Sequence, residues 1–129
     1  MKIVDFTDLI VWQKAHQLVL AIYGITNKFP SYEKLSLVSQ MQRAAVSITS
    51  NIAEGFARRS RKEKLQFYYI ALSSLSELRN QILISKDLDY INVQTFNLLN
   101  NQLIEVRKIL SGLVKSSNNY SNWILDFLY

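Results

Sequence analysis

Residues 96–113 read FNLLNNQLIEVRKILSGL, and this stretch decides the fold class. Its apolar residues recur at alternating spacings of three and four, which is the heptad pattern of a helix that buries one face. The residues that keep the pattern are Phe96, Leu99, Leu103, Val106, Leu110 and Leu113. The stretch therefore predicts a long amphipathic helix at the end of the chain.

Three segments upstream predict similar helices. Apolar residues spaced for a helix run from about residue 8 to residue 28, and Pro30 follows. A second segment is predicted to end at Gly55 in a left-handed C-cap, and a third begins with the capping-box residues Ser60 and Glu63. The apolar positions of the second and third segments are Val38, Met41, Ala45, Ile48, Ile52, Leu65, Tyr68, Leu72, Leu75 and Ile82.

Helix-breaking residues are scarce, since the chain has one proline and three glycines, and this favours a few long helices. Four helices of about 20 residues, each about 30 Å long, pack best with short antiparallel connections. We therefore predict an all-α, up-down four-helix bundle over residues 1–115 and a separate tail with an apolar end over residues 116–129. Gly24 and Gly112 fall inside helical patterns and are predicted to mark close helix approaches.

Composition argues against enzyme chemistry. The chain has no cysteine and a single histidine, His16, so the usual metal and nucleophile constellations are missing, and we expect no metal and no cofactor. No glycine-rich phosphate loop occurs either. The sequence has neither a signal-peptide pattern nor an apolar run of membrane length, so we expect a cytoplasmic protein that does not enter the membrane.

The basic charge is concentrated in one short segment. Residues 58–64 contribute +4 of the net charge of +5, although cations in the first turn of a helix oppose its dipole. Such a cluster suits contacts with nucleic-acid phosphates, but an ordinary solvated charge run is equally compatible with the sequence. The candidate residues are Arg58, Arg59, Arg61, Lys62 and Lys64, with Arg43 on the second helix as a further candidate.

A polar stripe along the second predicted helix is the other unusual feature. Its positions recur at spacings of three and four, and they include short side chains that are indifferent helix formers. The stripe consists of Gln40, Arg43, Ser47, Asn51 and Glu54. A hydrogen-bonded network inside the bundle or between subunits is the preferred interpretation, and a ligand site is the alternative.

These segments together resemble a known family. The motifs that carry the resemblance are Leu9-x-Val11-Trp12-Gln13-Lys14-Ala15, Phe29-Pro30, Gln40, Arg43-Ala44-Ala45-Val46-Ser47-Ile48, Asn51-Ile52-Ala53-Glu54-Gly55, Ile70-Ala71 and Ser74-x-x-Glu77-Leu78. Their order and spacing resemble the bacterial four-helix-bundle proteins encoded in intervening sequences of large-subunit ribosomal RNA genes. The chain is also distantly similar to the accessory variability determinants of diversity-generating retroelements.

The resemblance implies a ring-shaped homopentamer that associates with ribosomal RNA or the ribosome. The retroelement similarity implies a protein partner such as a reverse transcriptase. Two functions follow as hypotheses. In the first, the protein is a non-enzymatic, RNA-associated adaptor that uses the basic segment. In the second, it recruits a partner protein through the second helix and the tail.

Overall fold

The computed structural model describes residues 2–119, and this part of the chain contains four helices and no strand. Single 3-10 turns precede the first and second helices. The helices are α1 Ile10–Thr26, α2 Leu37–Ala57, α3 Arg61–Asp87 and α4 Val93–Asn119. α4 thus continues past the predicted bundle boundary at residue 115, and the tail beyond residue 119 lies outside the described residues.

Each helix packs mainly against two neighbours, which closes the four helices into a bundle. α1 contacts α2 and α4, and α3 contacts the same two helices from the opposite corner. Because the connections are short, successive helices run antiparallel. The predicted all-α four-helix bundle is confirmed. We call the end with the α2–α3 turn the basic end, and the end with the other two connections the tyrosine end.

The core follows the predicted heptad positions closely. In α4, Leu99, Leu103 and Val106 are buried, and in α2 the whole predicted apolar stripe is buried. α3 differs slightly, because Leu65 and Leu72 lie at the margin of the core while Ala71 and Leu78 are fully buried. A stripe shifted by one helical position in this way still buries a continuous face.

α1 is shorter than predicted at both ends. It begins at Ile10 because the preceding residues, Phe6–Asp8, form a 3-10 turn that is capped by its own carboxylates. The backbone amide of Thr7 donates to the Asp5 carboxylate, and the Asp8 carboxylate accepts from the backbone amides of Val4 and Asp5. Local carboxylate caps of this kind compete with an earlier helix start.

Gly55 does not end α2 as predicted. The helix continues to Ala57, and no glycine among the described residues has a positive φ. Instead, Gly55 is buried beneath the ring of Tyr68, where an added Cβ would lie 2.5 Å from Cε1. The glycine therefore permits a close α2–α3 approach. At Gly24, by contrast, a Cβ would meet nothing within 4 Å, so the predicted close approach there is wrong.

The tyrosine end is held by hydrogen bonds between its two connections. The Tyr90 hydroxyl donates to the Glu33 carboxylate at 2.8 Å and lies 3.1 Å from the Tyr32 hydroxyl. The Tyr90 ring also packs on Phe29, with centroids 5.2 Å apart. The backbone amide of Thr95 donates to the Asn92 side chain at the start of α4. These contacts join the α1–α2 connection to the α3–α4 turn.

Candidate nucleic-acid interface

The α2–α3 turn holds the predicted basic segment between two helix ends. α2 ends at Ala57, Arg58 has an extended backbone, and α3 begins at Arg61. The backbone amide of Glu63 donates to Ser60 Oγ at 3.1 Å, which forms the serine half of the predicted capping box. With so few residues between the helices, the positions of the basic side chains follow the rigid ends of α2 and α3.

Lys64 is used by the fold. Its Nζ donates to the backbone carbonyls of Gly55 and Phe56 at 3.2 and 2.9 Å, and it lies 5.5 Å from the centre of the Phe56 ring. The last carbonyls of a helix lack intrahelical partners, and a lysine ammonium satisfies them well. Lys64 therefore contacts the C-terminus of α2, although it belongs to the predicted cluster.

Arg58 also makes contacts within the protein. Its guanidinium lies 3.0 Å from the Glu54 carboxylate and 4.7 Å from the centre of the Phe67 ring. Both members of the ion pair are about half exposed, so the pair contributes at most about 1 kcal/mol. Glu54, which the sequence assigns to the polar stripe, thereby holds Arg58 against α3.

The three remaining cations of the segment are Arg59, Arg61 and Lys62. All three are exposed, and none takes part in the hydrogen bonds, ion pairs or cation–π contacts found within residues 2–117. They lie at the positive end of the α3 dipole, where further positive charge is unfavourable by a few tenths of a kcal/mol per residue. Their arrangement suits an anionic partner better than it suits the isolated fold.

Arg43 lies apart from this cluster. It is exposed on α2, fourteen residues before the end of that helix, which corresponds to about 21 Å along the helix axis. Gln40, one helical turn earlier, is exposed at a still greater distance from the turn. The structure therefore brings together the five residues of the turn but does not add Arg43 to them.

The middle of the polar stripe forms a small network between α2 and α3. The hydroxyls of Ser47 and Ser74 are 2.8 Å apart, and Ser74 Oγ also donates to the carbonyl of Ile70. Asn51 Nδ2 donates to the carbonyl and to Oγ of Ser47, at 2.8 and 3.1 Å. Because these polar atoms bond to one another, the geometry favours the network interpretation over a ligand site.

Sequence reasoning missed a second feature beside the basic turn, on the outer face of α3. Tyr69 lies two helical turns after Lys62 on this face, and its side chain is 49% exposed. Gln66 lies between them and is exposed as well. The available signal was the seven-residue spacing from Lys62 to Tyr69, which places both side chains on one side of a helix.

Metal sites and membrane spans are two features that the described residues lack. No three of their histidine, aspartate and glutamate side chains are grouped to hold a metal ion, and none of their helices is long and apolar enough to cross a membrane. An open cavity of about 490 Å³ lies at the tyrosine end, with Lys34 as its one ionisable lining residue. Its floor includes Phe29 and Val38.

The profile of a known family matches most of the chain. Residues 7–112 match the profile of the family described as 23S rRNA-intervening sequence protein. The chain belongs to this family. In this member of the 23S rRNA-intervening sequence protein family, the matched range contains the basic turn, the α2–α3 polar network and most of α4. The tail falls outside the match.

A solved structure supports the fold independently. The chain resembles a crystal structure from Bacteroides thetaiotaomicron, of a protein with unknown function from the S23 ribosomal protein family, with a TM-score of 0.77. The two chains are 23% identical, and the match covers 82% of this chain and 96% of the other. At this identity the likeness shows the fold alone. No functionally curated protein is detectably similar in sequence.

Proposed function

We propose that this protein is a non-enzymatic, self-associating adaptor that binds RNA phosphates through the basic end of its bundle. The observation that carries the proposal is the exposure of Arg59, Arg61 and Lys62 at adjacent helix ends. The fold uses Arg58 and Lys64 for internal contacts, whereas these three cations serve no contact within the described residues. Arg59 lies in the short connection and Arg61 and Lys62 lie in the first turn of α3, so the three cations stay close together.

The electrostatics favour a polyanion. Residues 58–64 carry +4 within seven positions, so each added cation is repelled by its neighbours and by the α3 dipole. An RNA backbone relieves this repulsion and releases condensed counterions when phosphates are neutralised. The binding that results depends strongly on salt and little on base sequence, because phosphate contacts carry no sequence information.

Self-association would multiply the cluster. The family resemblance predicts a homopentamer, in which about 15 exposed cations from this turn would face one RNA and would act by avidity. Val46 on α2 and Ile70 on α3 are exposed apolar side chains near the Ser47–Ser74 pair, and they offer a surface for subunit contact. A protein partner such as a reverse transcriptase remains a prediction from the retroelement similarity.

The test compares two triple variants of equal charge. In the first, Arg59, Arg61 and Lys62 are replaced by glutamine. In the control, the exposed residues Lys28, Lys34 and Lys108, which lie outside the basic turn, are replaced by glutamine. Both variants lower the net charge from +5 to +2. Lys64 and Arg58 are kept, so that the α2–α3 junction stays intact.

RNA affinity is measured from 50 to 200 mM salt by fluorescence anisotropy, and particle mass by light scattering. We expect the turn variant to lose at least tenfold in affinity and most of its salt dependence, while the control retains both. Equal affinities of the two variants would overturn the proposal and would favour the protein-recruiting alternative. A particle mass near the 15.0 kDa monomer would overturn self-association.

A further inference from the structure

The outer face of α3 continues the basic turn as one uninterrupted surface. Six exposed uncharged or basic residues with helical spacing share this face, and the exposed carboxylate of Glu77 borders its far end, beside Ser73 and Asn80. These residues, which we call the outer stripe, are Lys62, Gln66, Tyr69, Ser73, Ser76 and Asn80. The stripe spans nineteen residues, or about 27 Å along the helix axis. Between Lys62 and Tyr69 this face presents no carboxylate to a polyanion held at the turn.

Tyr69 gives the stripe a second kind of contact. Its side chain is 49% exposed in the middle of a long helix. Aromatic rings on a surface with nearby cations are the usual stacking platforms for unpaired bases. Every base has a face that stacks, so such a contact tolerates any sequence. The amide and hydroxyl groups of the other stripe residues are able to donate to or accept from bases and 2′-hydroxyls.

The spacing between the cations and the Tyr69 ring suits a strand with unpaired bases better than a duplex. Lys62 and Tyr69 are seven residues apart, which is about 10 Å along α3. A single strand places a phosphate at one point and turns an unstacked base toward the other. In an A-form duplex the bases are paired and stacked, so Tyr69 has no base face to contact. The arrangement therefore favours a single strand.

We infer that the outer stripe of α3 binds single-stranded RNA, with phosphates at Arg59, Arg61 and Lys62 and a base stacked on Tyr69. The inference rests on the proposed function, which supplies the phosphate contacts. It adds the form of RNA that is preferred and a residue that contacts a base. Binding of a single strand is tighter than binding of a duplex with the same number of phosphates.

The experiment uses the full chain and three variants. Tyr69→Ala removes the stacking ring, and Tyr69→Phe retains it. Tyr23→Ala is the matched control, because Tyr23 is a 40% exposed tyrosine on α1, toward the tyrosine end. The probes are a labelled 12-nucleotide uridine strand, the same strand with one central 2-aminopurine, and a duplex of equal phosphate number. Helical spectra and thermal melts verify that each variant is folded.

We expect Tyr69→Ala to weaken single-strand binding roughly 5- to 100-fold, which corresponds to the loss of one stacked base. Tyr69→Phe and Tyr23→Ala are expected within about twofold of wild type, and duplex binding is expected to change equally little. At saturating protein, 2-aminopurine emission should be quenched by wild type and Tyr69→Phe but not by Tyr69→Ala.

Two outcomes separate this inference from the proposed function. In the first outcome, wild type binds single strand and duplex with equal affinity and Tyr69→Ala has no effect, which would overturn this inference. Phosphate binding at the turn would still hold if the glutamine variant of Arg59, Arg61 and Lys62 lost affinity. Absence of salt-dependent binding to either RNA would overturn both.

Discussion

Both ends of the bundle connect antiparallel helices, but they do so with different kinds of side chain. At the tyrosine end, Tyr32, Glu33 and Tyr90 bond to one another and join the two connections. At the basic end, Arg59 and Arg61 extend from the turn into solvent. Both ends connect antiparallel helices, but only the tyrosine end uses its polar side chains mainly for that purpose.

This difference supports the proposed location of the binding surface at the basic end. Folding accounts for the tyrosine end, because each hydroxyl there has a partner within the protein. Folding does not account for several cations against a helix dipole, which cost stability and gain little from one another. When a surface carries a cost that the fold does not require, an interaction with another molecule is the economical explanation.

Both ends of the bundle depend on one shared core, and a substitution in the middle of α4 tests this dependence. Leu103→Ala removes a fully buried side chain from the middle of α4 and should lower the free energy of unfolding by about 2 to 5 kcal/mol. Chemical denaturation followed by helical circular dichroism gives the value. The control, Leu98→Ala, alters a 58% exposed leucine on the same helix and should cost less than about 0.5 kcal/mol. Similar losses in both variants would contradict the assigned helix face.

Heptad periodicity made most of the fold predictable. The stripe from Phe96 to Leu113 corresponds to the buried face of α4, because a helix that packs along its length must repeat its apolar residues. Helix ends were less predictable. Asp5 and Asp8 form a local 3-10 turn that competes with the helix, and the balance between two such arrangements depends on small energies.

The candidate site was predictable as a set of residues but not as a set of roles. The sequence shows that five cations lie in one turn. It does not show that Lys64 caps α2 or that Arg58 packs on Phe67. Those roles depend on which side chains the α2–α3 packing brings together. The same packing explains Gly55, whose proximity to Tyr68 is a tertiary contact that no local pattern reveals.

Two glycine substitutions probe helix packing near the two ends of the bundle. Gly55→Ala places a Cβ against the buried ring of Tyr68 near the basic end and should destabilise the protein by about 1 to 3 kcal/mol. Gly24→Ala adds a Cβ in open space near the tyrosine end and should stabilise it by about 0.4 to 1 kcal/mol, since alanine favours a helix. Thermal or urea unfolding of both variants measures the difference. Stabilisation by both substitutions would mean that α2 and α3 do not approach as closely as described.

The stability contributed by polar groups near the two ends should depend on pH in opposite directions. Hydrogen bonds to Tyr32 and Glu33 raise the pKa of Tyr90 above its ordinary value of 10.0, so the stability it contributes is present below pH 10 and is lost above it. Near the basic end, backbone amides of Val4 and Asp5 lower the pKa of Asp8 below 3.8, so its contribution is lost as pH falls below about 4. Urea unfolding at pH 3, 7 and 11 should therefore show the difference between wild type and Tyr90→Phe shrinking only on the alkaline side. For Asp8→Asn the difference should shrink only on the acid side. Differences that stay constant across all three pH values would show that neither group is held as the structure describes.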